Sequence, residues 1–306
     1  MRLAWFNISP NQSKEVGLRR AIALLVLLAA GSLGPPPLVA QSPEPAQKAV
    51  VLGDAEQERF LLEGQIVRRR SAPGGVTLSE RATLRLGDFE HECHIQKIDQ
   101  HKPSFAVGGV MEMDFHDSFR GNVAGYRLDR LLGLGMVPVS VARKDGDRQA
   151  AFTWWVDDGL MDERQRIQKK VKTPDVERWN RQMYVLRIFD QFIYNFDRNL
   201  GNLVIDKDWR IWMIDHTRAF KMFKQLRDQV QLGTRCERDL LEALRKLDPA
   251  AVRAAMKDVL TPAQTDGLLA RRDLIVKYFD ARIAEIGEDQ VLYDLPPRIA
   301  VPASSH

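Results

Sequence analysis

Cysteine is nearly absent from this chain: Cys93 and Cys236 are the only two among 306 residues. No CxxC or similar pair occurs, which excludes the usual zinc spacings. An oxidising compartment would permit a Cys93–Cys236 bridge, but two buried free thiols are expected, because cysteine is among the most often buried residues. An excess of charge of one sign is missing too. The formal net charge is only +4, and most of it sits in residues 1–40, where Arg2, Lys14, Arg19 and Arg20 outnumber Glu15. The remainder is close to neutral, so the composition gives no sign of a nucleic-acid partner. Beyond Leu33 no apolar run is long enough to span a bilayer, which predicts a mature chain without a stable transmembrane segment. There are no internal repeats and no low-complexity tracts. What is present is an ordinary globular balance, with 28% charged and 44% hydrophobic residues. The length suits one large domain or two lobes with a substantial core.

Arg19-Arg20 precede a 13-residue apolar run, Ala21–Leu33, which Gly34-Pro35-Pro36-Pro37 breaks. A basic flank, a short apolar core and a break leading to Leu38-Val39-Ala40 read as a secretory signal peptide over residues 1–40. The alternative is an uncleaved membrane anchor. Cleavage after Ala40 predicts an extracytoplasmic location, periplasmic or secreted. Residues 41–56, rich in Pro, Gln and Ala, read as a linker. Residues 57–156 then form a first, β-rich unit, residues 157–294 a second, mainly helical one, and residues 295–306 a frayed tail.

In the first unit Phe60–Val67 fits a strand or a short helix, and Arg68-Arg69-Arg70 reads as a solvated strand end. Gly74-Gly75 either makes a simple turn or lets backbone N–H groups approach phosphates. Ala82–Leu86 alternates apolar with polar, Gly87-Asp88 signals a two-residue hairpin, and Phe89–Ile98 is the return strand. On that strand Phe89, His91, Cys93, Ile95 and Lys97 share one face. A lysine on an inward face is costly to bury without a partner. His91 and His94, three apart, point to opposite sides and so do not share a metal. Ala124, Leu128, Leu131 and Leu132 mark an amphipathic helix, stopped by Gly133 and Gly135. Val137–Ala142 and Ala150–Val156, the latter with Trp154 and Trp155, read as strands.

In the second unit a short helix is expected around Asp162–Lys169. Thr173-Pro174-Asp175 opens a long helix whose buried face is Trp179, Met183, Leu186, Phe189 and Ile193. Glu237–Leu247 and Pro249–Leu260 read as two more. Thr261-Pro262 starts a last helix, lined by Leu268, Ile275, Phe279, Ile283 and Ile286 and ended by Gly287.

The chemistry is concentrated between Phe189 and Phe220, FDQFIYNFDRNLGNLVIDKDWRIWMIDHTRAF. Asp197 and Asn202 lie five positions apart in DRNLGN, and Asp215 follows in IDHTRAF. Two short apolar runs, Leu203–Ile205 and Ile211–Ile214, flank a Lys-Asp-Trp-Arg turn and predict a β-hairpin. That hairpin would bring Asp197, Asn202 and Asp215 to one point. Three oxygen-bearing side chains on such a frame suit magnesium or manganese, which take oxygen ligands and are commonly shared with substrate phosphates.

NFDRNLGNLVI and IDHTRAF, with YRLDRLLGLGMVPVSVAR upstream, resemble the catalytic and metal-binding loops of the atypical kinase superfamily. That group includes phosphatidylinositol 3-/4-kinases, HipA-type bacterial kinases and Golgi casein kinase-type secreted kinases. The resemblance implies an α+β, two-lobed protein-kinase-like fold, with a small β-rich N-lobe holding one helix and a mainly helical C-lobe. It implies ATP as donor and Mg or Mn as the metal. Asp197 would orient and deprotonate an acceptor hydroxyl, and Asn202 and Asp215 would hold the metal. Lys97, or alternatively Lys102, would grip the phosphates, with Gly74 and Gly75 over them and adenine against the Trp154-Trp155 segment. The acidic helix residue that braces such a lysine falls at Asn122, an amide that forms no ion pair; Glu112 is the substitute if its loop folds back. Two functions follow. One is transfer of the γ-phosphoryl group to a hydroxyl of protein Ser/Thr, a sugar or a lipid. The other is a non-catalytic, nucleotide-binding pseudokinase that acts as a docking partner. A metal-dependent hydrolase is a third reading, and it lacks the extra His or Asp ligands that a two-metal site uses.

Overall fold

Asp54–Glu63 (α1) folds as a helix because the Gly53 N–H donates to Glu56 Oε2 at 2.8 Å across its first turn, with Asp54 and Glu56 at the positive end of the helix dipole. The expected linker therefore gives way to a helix before Glu56, and Phe60 and Leu61 are already core residues. The computed structural model describes residues 52–71, 79–107 and 110–296. The expected signal peptide, most of the linker, Gly74, Gly75 and nearly all of the tail lie outside the described residues.

After α1 come Gln65–Ser71 (β1), Ser79–Leu86 (β2), Phe89–Gln96 (β3), Asp99–Val107 (β4), Val110–Ser118 (β5), helix Arg120–Leu131 (α2), Ser140–Asp145 (β6) and Arg148–Trp154 (β7). Five of these strands form one sheet in the order β1-β2-β3-β7-β6, with every neighbour antiparallel, while β4 and β5 make a separate hairpin. The β2–β3 connection is the two-residue turn read from Gly87-Asp88; Gly87 takes φ +61°, which a side chain would resist. Two helices, not one, accompany this sheet, and the β4–β5 hairpin is an element beyond those expected from the sequence.

The two faces of the sheet differ in chemistry. Leu84, Cys93, Ile95, Phe152 and Val141 share the face that packs on α1, and all are buried. The Phe60 ring meets Phe89 and Trp154 there edge-on, at 5.1 and 5.6 Å between centroids. The other face carries an unbroken polar row, one residue per strand: Arg70, Arg81, His94, Thr153 and Ser140. Thr83, Glu92 and Gln96 stand on the same side, as alternation along a strand requires. An apolar face cannot be left in water without cost, so the apolar row faces the core and the polar row faces the rest of the molecule.

The second half is mainly helical. Gly159–Asp162 (β8) leads into Glu163–Gln168 (α3), capped by Asp162, whose Oδ1 accepts the Gln165 N–H at 2.7 Å. Val176–Phe192 (α4) is capped by Asp175, whose Oδ1 accepts the Arg178 N–H at 2.9 Å. Leu203–Asp206 (β9) and Ile211–Met213 (β10) form the expected hairpin and add β8 at one edge. Its turn is tied by the Asp206 carboxylate, which accepts from the Asp208 and Arg210 N–H groups, both at 2.9 Å. Cys236–Glu237 (β11), Arg238–Lys246 (α5), Pro249–Met256 (α6), Pro262–Ile286 (α7), Glu288–Val291 (α8) and Leu292–Tyr293 (β12) complete the chain. Cys93 and Cys236 are buried free thiols. No helix among the described residues is long and apolar enough to cross a membrane.

One buried cation ties this half together. Arg271 on α7 is fully buried and donates to the carbonyls of Phe192 (2.8 Å), Lys221 (3.0 Å) and Phe223. Burial pulls its guanidinium down to about 9. Gly267, one turn earlier, permits the approach: a Cβ there would lie 2.7 Å from the Met222 carbonyl oxygen.

Candidate active site

The segment after α4 supplies Asp197 and Asn202, and the segment after β10 supplies Asp215. Three contacts bring them together. The Ile214 N–H donates to the Asn202 carbonyl at 3.0 Å. Arg198, beside Asp197, donates to the Ile214 carbonyl at 2.6 Å. The same guanidinium is held from α4 by Asp190, at 2.9 and 3.1 Å, and Asp190 also accepts from Asn195. Asp190 and Arg198 are both largely buried, so this is a paired, hydrogen-bonded charge of the kind that fixes geometry. Sequence reasoning left both of them out. The only local signal was the Arg of DRN, which also reads as an ordinary turn residue.

Asn202 closes a short 3-10 turn over Leu200–Asn202, in which Asn199 Oδ1 accepts the Gly201 N–H at 2.9 Å. The Asn202 side-chain amide has no hydrogen-bond partner among the described residues. Asp215 sits at φ +56°, a conformation uncommon for a residue with a Cβ, and its Oδ1 accepts from the Thr217 hydroxyl at 3.0 Å. Helix α2 holds this bend in place. The buried His216 N–H donates to Asn122 Oδ1 at 2.7 Å. Gly125 leaves room for the His216 ring, 3.1 Å from where a Cβ would stand, and a Cβ at Gly121 would collide with the His216 carbonyl. Complete burial, with Arg198 adding repulsion, keeps His216 neutral, its pKa well below the ordinary value.

The hairpin β4–β5 covers the following residues. Ser118 N–H donates to the Thr217 carbonyl at 2.9 Å, and His116 Nε2 meets the Ala219 carbonyl. Glu112 pairs with Arg218 and, at 2.8 Å, with the buried Lys221. Arg218 Nη1 also stands 3.5 Å from Asp197 Oδ2. Partial desolvation pushes the half-exposed Asp197 carboxyl above the ordinary range; Arg218 opposes this, and Asp215, Asp117 and Glu112 add to it. Burial raises Asp117 as well, with Thr217 opposing and Asp215 adding.

A divalent ion suits part of this cluster. The free amide of Asn202 and the carboxylate of Asp215 are hard oxygen donors. Among the described residues no three acidic, histidine or cysteine side chains lie close enough to hold a metal ion by themselves. Phosphate oxygens and water would have to complete the shell, as they commonly do for magnesium.

The remaining predicted residues are placed elsewhere. Lys97 Nζ pairs with Asp145 at 2.8 Å and Glu80 at 3.3 Å, in a network with Arg69. Glu80 pairs across β2 and β3 with Ile95, on the apolar side of the sheet, so Lys97 is drawn away from Asp215. Lys102 lies 3.9 Å over the Phe105 ring on β4. Neither Asn122 nor Glu112 pairs with Lys97 or Lys102: the first caps the His216 N–H and the second holds Arg218 and Lys221. Trp154 stacks on His91 at 3.6 Å in the core, and Trp155 lies under Arg81 at 3.9 Å.

No protein-family profile and no curated protein sequence matches this chain. Solved structures do. A hydra Fam20 structure with sugar aligns over 77% of this chain and 90% of its own, at a TM-score of 0.59 and 14% identity. The Golgi casein kinase aligns over 79% of this chain and 78% of its own, at 0.57 and 13%. A structure of the Golgi casein kinase with Mn/ADP bound aligns over 80% of each, at 0.58 and 13%. At this identity the likeness is one of fold. The chain has an atypical kinase-like fold, β-rich in its first half and helical in its second, and it resembles the Golgi casein kinase type.

Proposed function

We propose that this protein transfers the γ-phosphoryl group of ATP to a hydroxyl acceptor in a cleft between a β-rich N-lobe and a helical C-lobe. The observation that carries the proposal is the joining of the two loops by Ile214–Asn202 and Arg198–Ile214, which sets Asp197, Asn202 and Asp215 on one rigid frame. The kinase-like fold supports it, as does a structural neighbour crystallised with Mn/ADP. Asn202 and Asp215 would hold the metal, which when bound neutralises charge on the phosphates. Asp197, with a carboxyl raised by partial desolvation, would orient the acceptor hydroxyl and take its proton. Arg198 and Asp190 would keep the loops in register. With purified protein, labelled ATP, Mn²⁺ and a panel of peptide, sugar and lipid acceptors, Asp197→Ala should lose turnover by about 10²–10⁴-fold while keeping its affinity for ATP.

A second reading is a pseudokinase that binds nucleotide and docks to a partner. It is favoured by the placement of Arg218, which faces the Asp197 carboxylate, and of Lys97, which is committed to Asp145 and Glu80. Wild type and Asp197→Ala that are equally silent in transfer, yet both bind ATP, would establish it. Full transfer by Asp197→Ala would overturn the catalytic assignment.

A further inference from the structure

The sheet face on the Asp215 side has no lysine at its centre. β3 is the middle strand, and His94 is the residue it contributes to the polar row, between Arg81 on β2 and Thr153 on β7. The His94 side chain is partly buried and has no hydrogen-bond partner among the described residues. The Asp215 carboxylate is near enough to act on it electrostatically. Arg81 stands beside it, paired with Glu92 and stacked on Trp155. With no such partner and with nitrogens not sealed from solvent, the imidazole is free to meet a ligand on the side of a proposed metal ligand.

We infer that His94, with Arg81 next to it, contacts the phosphate groups of the nucleotide held by Asn202 and Asp215, in the place the sequence reading gave to Lys97. The inference rests on the nucleotide-binding part of the proposed function. An imidazole N–H can donate to a non-bridging phosphate oxygen, and Arg81 offers a planar cation on the same face. His94 is shorter than lysine, so the phosphates would lie closer to the sheet than a lysine would hold them.

Calorimetric titration separates the possibilities, using the full chain with ADP plus Mn²⁺ and, in parallel, with adenosine. His94→Ala should weaken ADP binding on the order of tenfold and leave adenosine binding unchanged, because the lost contact is to phosphate. His94→Lys should restore ADP affinity, and Lys97→Ala should bind as wild type. Equal ADP affinity in wild type and His94→Ala would overturn the inference while leaving the nucleotide site intact. So would an equal loss for ADP and adenosine, which marks a merely structural residue. Wild type that binds no ADP with Mn²⁺ would remove the nucleotide site itself, and this inference with it.

Discussion

Asn122 holds the bend at Asp215 through one hydrogen bond, from the buried His216 N–H to its side-chain oxygen. Asn122→Ala would leave that N–H without a partner, at a cost of about 1–3 kcal/mol. Asn122→Glu would install an acid at the helix position where kinases usually carry one. Here it would force a charge and an extra methylene into a site only 5% exposed, and it should destabilise by at least as much. Thermal unfolding measures both, and a Glu variant that melts with wild type would show the cap to be dispensable. Asp197 makes a different prediction, about pH. A general base works only when ionised, so activity should fall as pH drops through its pKa, and partial desolvation sets that pKa above the ordinary 3.8. Arg218 is the cation that opposes the shift. Arg218→Gln should therefore move the acid limb of kcat/KM to higher pH. An unmoved limb would separate Asp197 from proton transfer.

The β4–β5 hairpin acts as a unit, because its second strand lies along Thr217–Met222 and supplies Glu112 to a lysine that is 1% exposed. Removing one partner of a buried pair strands the other charge, so Glu112→Gln should cost about 3 kcal/mol. Adding Lys221→Met should recover much of it, a pattern that denaturant unfolding of the single and double variants would reveal. A double variant no more stable than Glu112→Gln would deny the pair its role. This hairpin also marks the limit of what the sequence discloses. Helices α4 and α7 were legible because their signals are local: Asp175 and Thr261 cap them, and Gly287 ends the second at φ +88°. The β9–β10 hairpin and the spacing of Asp197, Asn202 and Asp215 were legible for the same reason. Gly108-Gly109 is a hairpin signal as well, but Pro103 and the mixed polarity of the flanks conceal it, and its contacts are made with residues about a hundred positions away. The faces of β3 posed a related difficulty. Alternation shows that two faces exist; which one turns toward Asp215 depends on α1 covering the apolar side, and that is a tertiary fact. Lys97 stands with Glu80 and Asp145, and Glu80 belongs to the apolar side of that choice.

At the scale of the whole molecule, ATP with Mn²⁺ should raise the unfolding temperature, since a ligand bound only by the folded state stabilises it by about 2.7 kcal/mol at a hundredfold excess over Kd. Asp215→Ala should lose the metal-dependent part of the shift, as followed by a thermal melt with and without Mn²⁺. An equal shift in both proteins would take Asp215 out of the site. The wide reach of Arg271 bears on folding order. It gathers carbonyls from Phe192, 79 positions away, and from Lys221 and Phe223. Partial assembly of the second half does not satisfy its charge. Contacts that close long stretches of chain form later than hairpins and single helices. The base of one site loop and the exit of the other thus share a late common event: the carbonyls of Phe192, Lys221 and Phe223 gain their shared donor only when α7 has emerged and docked.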